Sequence, residues 1–492
     1  MQSYQCFIDG EWVDGGKDGG WIEVANPASG QVWARVPAGR PDDCDEALAA
    51  AERAGHAWRA LTPMQRADYL EAINVRLEAQ KEHFARLLVL EQGKTYREAL
   101  GEVADTIGYM RYAAQSARWL RGDILPADTP GERLMTFKVP FGVCVAICAY
   151  NYPLALIGRK LGPALVTGNT VVIKPHEATP VTASEFCKLV EDAGVPKGVI
   201  NMVTGDGANV GAKLVSDKRT RVISLTGSIA AGQRVARLAA DNLANLVLEL
   251  GGKAPFIVLA DADIDAAVEA AAVARFANGG QVCICNEMAF IDRRVANEFT
   301  DKLLKRVAKI SLGDPMNNPD MGPITTPQAR DRIANLVSTA KAAGAEVLMG
   351  GRPAAPAGLD GGYWFEPTVI TGSDASTPLI RDEIFGPVLP LLTIDGIDEA
   401  IALTNQRDDG LSAYLWTRDN STINHAIDRL ETGTVFVNKG ITGSFHGYHN
   451  GHKLSGVGGK TVPTVSRTTC RSAASTWPID VVEPAPRPFP CH

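Results

Sequence analysis

The sequence predicts an α/β protein: a doubly wound parallel sheet and a second α/β run after it in the chain. Three observations predict it. From Val143 onward, short β-rich apolar runs such as "VCVAICAY" and "TVVIKP" alternate with helical patterns such as "TPVTASEFCKLVEDAG". Those runs are almost continuously apolar, as strands covered by helices on both faces must be. The alternation then resumes at "APFIVL" (254–259) and continues to "AYLWT" (413–417), with no internal repeat.

In chain order, residues 41 to 121 read as long helices. "DDCDEALAAAERAGHAWRAL", "PMQRADYLEAINVRLEAQKEHFARLLVLEQG" and "TYREALGEVADTIGYMRYAAQSARWLRG" repeat apolar residues at three and four spacing, with Gly and Pro near their ends. Residues 123–140, "DILPADTPGERLMTFKVP", are Pro-rich and then alternating, which suits a linker entering an exposed strand. The strands of the first sheet are "VCVAICAY", "TVVIKP", "VINMVTG", "RVISLTG" and "NLVLELGG". Between them "GANVGAKLVSD" and "IAAGQRVARLAA" read as helices, and βαβ units of this kind are the usual setting for a nucleotide.

With 492 residues the chain can hold two or three domains and a large core. Its 49 basic and 56 acidic residues leave a net charge of −7, with no Lys/Arg block. That speaks against a nucleic-acid or anionic-membrane partner. The start, "MQSYQCFIDGEWVDG", lacks a basic segment followed by an apolar run, so no signal peptide is expected. The most apolar long stretch, "FGVCVAICAYNYPLALI", contains Asn151 and Pro153 and falls short of a spanning helix. The expectation is a soluble, cytoplasmic protein. Nine scattered cysteines make no disulfide framework. With no CxxC and no Cys/His pair at zinc spacing near Cys283, no metal site is expected.

The stretch "GGQVCIC" places Cys283 and Cys285 two positions apart, behind a helical run ending in "FANGG". Gly279 and Gly280 leave open backbone beside Cys283, and a thiolate there would be a nucleophile. Taken alone, two small buried hydrophobes are the simpler account. Glu249 ends an apolar strand in "LVLELGGKAP". Ligands bind at such strand ends, and a partly desolvated carboxylate suits general-base work; a solvent-facing Glu is the alternative. Asn151, directly after a buried strand, could donate its amide to an oxyanion or simply form a turn before Pro153. "SLTGSIAAGQRV" puts Gly227 and Gly232 around a strand-to-helix turn, a weak phosphate-cradle pattern with only two glycines. Lys174 and Glu177 follow another strand. They could hold a ribose, the carboxylate accepting a bare 2′-hydroxyl and repelling a 2′-phosphate, or mark a solvated strand end.

Together these pieces resemble the NAD(P)-dependent aldehyde dehydrogenase superfamily over roughly residues 5 to 459. The resemblance is carried by "YNYP", "GNTVVIKPHEATP", "LTGSIAAG", "LELGGKAP", "FANGGQVC", "EIFGPV" and "GTVFVN", and by the 34 positions between Glu249 and Cys283. It implies a Rossmann-like NAD-binding domain (1-122 and 141-251), an α/β catalytic domain (252-448) and a small β oligomerisation element (123-140 and 449-492). It implies that Cys283 attacks an aldehyde, that Asn151 and the Cys283 backbone N–H hold the oxyanion, and that Glu249 activates water to hydrolyse the thioester. Lys174, Glu177, Gly227, Ser228, Gly232, Glu383 and Phe385 match cofactor-binding positions, Glu177 favouring NAD over NADP. Cys285 has no assigned role.

Within the family, "LIGRKLGPALVTGNT" and "FHGYHNGHKLSG" are similar to lactaldehyde or glycolaldehyde dehydrogenases, with Arg159 and His449 at substrate-pocket positions. Arg159 could also clamp a carboxylate, which keeps succinate-semialdehyde dehydrogenase as the alternative. Acyl transfer to coenzyme A would not need Glu249. A catalytically silent structural or binding protein would be expected to lose the thiol or the carboxylate, and both are present.

After Gly459 the chain departs from the family. "KTVPTVSRTTCRSAASTWPIDVVEPAPRPFPCH" is rich in Pro, Ser and Thr and shows little periodicity. With permitted codons, reading Lys460 to Ser472 one base earlier yields "EDGPHGLEDYLQK", which resembles the family's continuation. A reading-frame slip is therefore expected, a divergent disordered tail being the alternative; sequencing the source DNA separates them. The family's final strand, which the resemblance pairs with a neighbouring subunit, would be lost and a sheet edge on the partner left open. The homodimer or homotetramer implied by the family is in question for that reason.

Overall fold

The apolar runs between Val143 and Glu249 become the parallel centre of an eight-stranded sheet. Asn245–Glu249, Thr220–Thr226, Val143–Ile147, Thr170–Lys174 and Ile200–Met202 lie side by side in that order. Strand order reverses between Val143–Ile147 and Thr220–Thr226, and a crevice opens at such a switch point. The continuous apolar character has a direct cause. Val171 and Ile173 enter one core cluster while Val172 between them enters another on the opposite face. The computed structural model describes residues 1–14, 20–374, 376–441, 443–447, 449–459 and 470–478. Antiparallel strands close both edges, Cys6–Ile8 with Glu11–Val13 on one side and Gly456–Val457 on the other.

The second run forms a seven-stranded sheet around Ala254–Val258, which pairs in parallel with Asn286–Asp292 and Ser412–Trp416. It is wound in the same way, with Phe256 and Val258 in one cluster and Ile257 in another. Four helices precede the strand Val143–Ile147 where three were read: Pro41–Ala60, Pro63–Ala79, Lys81–Gln92 and Tyr96–Gln115. The long middle run breaks at Gln80, whose ψ of 18° leaves the helix. The break lets Leu77 and Phe84, on successive helices, join one core with Val103 and Ile107 of the fourth. The apolar stretch around Asn151 divides into the strand Val143–Ile147 and the helix Pro153–Val166. Among the described residues, no helix is long and apolar enough to cross a membrane.

The tail corrects an expectation. Cys470–Pro478 is a strand, and it pairs antiparallel with Glu132–Pro140 of the same chain, which also pairs with Ile124–Pro126. The physical reason is that an edge strand recruits a neighbour through backbone N–H and C=O groups, and any extended segment satisfies them. The edge of Glu132–Pro140 is thus covered within this chain. The start of the divergent tail, residues 460–469, lies outside the described residues.

Candidate active site

Register in the first sheet brings the candidate residues together. Ile147 pairs with Lys174, Leu225 with Ile147, and Thr226 with Glu249, so the carboxyl ends of four strands finish in one row. Above that row lies a cleft of about 790 Å³ whose wall includes Asn151, Lys174, Glu177, Glu249, Cys283 and Glu383. Gly227, Ser228 and Phe385 also line it.

Cys283 is partly exposed, in the loop between the short helix Ala277–Gly280 and the strand Asn286–Asp292. The loop is held tightly. Asn278, Gly279 and Gly280 all have positive φ (49°, 62° and 74°). A Cβ on Gly280 would fall 2.3 Å from the Gly386 carbonyl, so this position requires glycine. The Asn278 N–H donates to Glu98 Oε1 (2.6 Å) and its side chain to the Asn151 carbonyl (3.0 Å). Gln281 Oε1 accepts from the Thr325 N–H and hydroxyl, each at 3.0 Å.

Asn151 is stitched to the same loop. Its Nδ2 donates to the Gln281 carbonyl at 2.9 Å, two residues before the thiol, and an amide has a second N–H to offer. Its own carbonyl accepts from Lys94 Nζ (2.9 Å), which forms a fully buried ion pair with Glu102 (2.6 Å). Glu102 Oε1 in turn accepts from the N–H groups of Leu154 and Ala155, satisfying the start of Pro153–Val166.

Cys285 is different. It is buried, its Sγ faces the Gly280 carbonyl and Glu287, and burial pushes its thiol up to about 12. A thiol held protonated and out of reach is no nucleophile.

Glu249 is 5% exposed at its strand end. His449 Nε2 lies 3.0 Å from its Oε2. The sequence reading placed His449 with the substrate pocket, and the structure brings it onto the candidate base. Beside Glu249, Lys160 Nζ donates to Thr226 Oγ1 at 2.6 Å.

On the cofactor side, Lys174 Nζ is buried and donates to Glu177 Oε2 at 3.3 Å. Burial opposes ionisation of Glu177, but His176 and Lys174 outweigh it and hold the carboxyl below its usual range. His176 is pushed down by burial, and its Nδ1 accepts from the Ala178 N–H. Ser228 caps Ile229–Leu238, its Oγ accepting from the Ala231 N–H. A Cβ on Gly227 would meet protein only at 3.5 Å and beyond, so the room that glycine leaves belongs to the cleft. A glycine turn at a helix N-terminus beside a ribose-sized polar pair fits a dinucleotide. Gly232 does not line the cleft. A Cβ there would fall 2.4 Å from Leu250 Cδ1, so it serves close packing of helix on strand.

Glu383 and Phe385 are positioned from a distance. Glu287, fully buried, accepts from the N–H groups of Ile384 (2.6 Å) and Phe385 (3.1 Å), from Arg275 (2.9 Å) and from Lys253 (3.1 Å). Burial opposes its ionisation, but Arg275, Lys253 and the Ile384 N–H hold Glu287 at about 2. Arg275 also donates to the carbonyls of Gly280 and Asn286, so one carboxylate ties the thiol loop to the loop of Glu383 and Phe385. Burial, together with Glu287 nearby, pushes Glu383 up to about 8. Phe385 has φ 49° and meets Tyr150 edge to face at 5.8 Å.

Arg159 is half-buried, its guanidinium 5.3 Å from the centre of the Tyr109 ring, and Tyr109 meets Phe445 edge to face at 5.1 Å. The sequence reading missed this aromatic pair. Its signal was Gly108 inside a helix, where a Cβ would fall 2.4 Å from Phe445. It also missed Lys160 and Glu287, which carry no local pattern. Among the described residues no cluster of His, Cys, Asp or Glu could hold a metal ion.

With this geometry in view, comparison with known proteins is specific. Residues 12–472 match the model of the Aldehyde dehydrogenase family. The chain is 41% identical to a 3,6-anhydro-alpha-L-galactose dehydrogenase of Vibrio sp. (strain EJY3), over 94% of this chain and 96% of that protein. It is 38% identical to the lactaldehyde dehydrogenase of Escherichia coli (strain K12), over 93% and 95%. Among solved structures, 3,6-anhydro-L-galactose dehydrogenase in complex with NAP superposes with a TM-score of 0.94 at 40% identity, covering 96% of this chain and all of that one. The chain therefore belongs to the aldehyde dehydrogenase family and is an oxidoreductase. The family's cofactor is NAD(P).

Proposed function

We propose that this enzyme oxidises a small hydroxyaldehyde, of the lactaldehyde or glycolaldehyde kind, to its carboxylic acid with NAD, through a Cys283 thiohemiacetal and thioester. The reading is carried by the convergence on one cleft of a partly exposed thiol, a buried carboxylate and a tethered amide. The Cys283 thiolate forms a C–S bond to the aldehyde carbon. The oxygen that becomes negative is held by the second N–H of Asn151 and the backbone N–H of Cys283. Bound NAD supplies the hydride acceptor; Lys174, Glu177, Gly227, Ser228, Glu383 and Phe385 would hold it. Glu249 then takes a proton from water, which attacks the thioester and releases the acid and the thiolate. Glu177 supports NAD over NADP, because its carboxylate would repel a 2′-phosphate.

For the substrate, Arg159 over Tyr109 offers a cation on an aromatic wall, suited to a hydroxylated or acidic chain. That same cation favours succinate semialdehyde as the second reading. The test is kcat/KM over glycolaldehyde, lactaldehyde and succinate semialdehyde, with Arg159→Met alongside. A short hydroxyaldehyde leading the series supports the first reading. Succinate semialdehyde leading, with its preference lost in Arg159→Met, replaces it with the second.

The proposed setting is cytoplasmic, and the proposed assembly a homodimer or homotetramer through the small β element. That sheet exposes Ile124, Leu125 and Phe137, apolar side chains suited to a partner surface. The proposed domain scheme gives residues 449-492 to the small element, although Gly456–Val457 pairs within the first sheet; sedimentation of the full chain tests the assembly.

A further inference from the structure

The Glu249–His449 pair raises a question that substrate binding does not answer. A general base at a strand end, 5% exposed, must be rid of its proton before each new turnover. His449 Nε2 sits 3.0 Å from Glu249 Oε2, and the His449 side chain is 17% exposed, so it reaches from the carboxylate towards solvent. Imidazole is the side chain best suited to taking up and passing on a proton near neutral pH.

We propose that His449 is the positioning residue of the general base, its Nε2 facing Glu249 Oε2 and receiving the proton that Glu249 removes from the hydrolytic water. This rests on the thioester mechanism above. Water loses an O–H bond to Glu249 and forms a C–O bond at the thioester carbonyl. The C–S bond then breaks, and Cys283 leaves as thiolate. The proton passes from Glu249 Oε2 to His449 Nε2, and a proton passes from the ring to solvent. One acid and one proton leave, and Cys283 is regenerated as the thiolate, with no oxidant or reductant needed at this stage.

The proposal assigns His449 to the second half of the reaction only, which separates it from a substrate contact. The probe is p-nitrophenyl acetate, whose activated ester acylates a thiol without any nicotinamide cofactor. The nitrophenolate burst reports acylation of Cys283 and counts folded sites; the steady phase reports deacylation. In His449→Ala the burst is expected to keep its rate and amplitude, the steady phase to fall about tenfold or more, and acetyl-enzyme to accumulate by intact mass. Added imidazole is expected to restore deacylation, which it would not do for a merely structural loss. His449→Gln, which keeps a hydrogen bond but carries no proton, is expected to remain slow and to respond less to imidazole. An unchanged steady phase in both variants would overturn the proposal, as would a loss confined to burst rate or aldehyde KM. If the ester acylates Cys283 but no aldehyde yields NADH or NADPH, the functional reading fails while the His449 result still stands on its own.

Discussion

The two walls of the cleft are built in different ways. On the first sheet, Lys174 and Glu249 stand at the carboxyl ends of paired parallel strands, and Gly227 directly follows another, so backbone register alone aligns them. On the second sheet, Cys283, Glu383 and Phe385 sit on loops. These loops are held by a buried carboxylate, Glu287, between Arg275 and Lys253. The first wall is therefore set by backbone pairing, whereas the second is set by buried side chains, with Glu287 joining its two loops.

The largest effect should come from cutting that charge. Glu287→Ala would leave Arg275 and Lys253 buried without their counter-ion and is expected to cost about 3–5 kcal/mol of stability, read by chemical denaturation. Glu287→Gln should retain part of the backbone hydrogen bonding and cost less. If Glu287→Ala were as stable as the parent, the contrast between the walls would fail. The same charge sets a pH dependence. The Glu287 carboxyl is depressed from 4.5 to about 2 on folding, so its contribution is complete above the unfolded value and is lost as pH falls through about 2. Thermal melts should decline across that acid window, and less steeply in Glu287→Gln.

A smaller effect is expected on the register-built wall. Gly232→Val must displace Leu250 and should cost about 1–3 kcal/mol by overpacking, without changing which cofactor is used. Smallest in free energy, Glu177→Gln should raise the NADP:NAD ratio of kcat/KM about tenfold by removing one negative charge. An unchanged ratio would place cofactor choice elsewhere in the cleft.

The same contrast explains what could be read from the chain. "TVVIKP" and "NLVLELGG" announce Lys174 and Glu249 because strand, turn and helix are written locally. The doubly wound fold was legible for the same reason, as period-free apolar strands between helices. Cys283 was legible only through the family resemblance, since its loop depends on Glu98, Asn151 and Thr325, all distant in sequence. Glu287 looked like any residue of a strand, and nothing beside it names Arg275 or Lys253. The packing of Gly232 on Leu250 was not legible, because a glycine needed for packing and one near a phosphate look alike in a turn. The strand Cys470–Pro478 escaped because backbone pairing leaves little mark on composition.

Cys283 and Cys285 repeat the contrast at the scale of three residues, one partly exposed at the cleft and one buried with its thiol pushed up to about 12. The most direct test is NADH formation from the best short aldehyde by the parent, Cys283→Ser and Cys285→Ser. A nucleophilic Cys283 predicts that Cys285→Ser keeps most activity while Cys283→Ser loses about a thousandfold or more. Substantial NADH formation by Cys283→Ser, or loss confined to Cys285→Ser in folded protein, would contradict it.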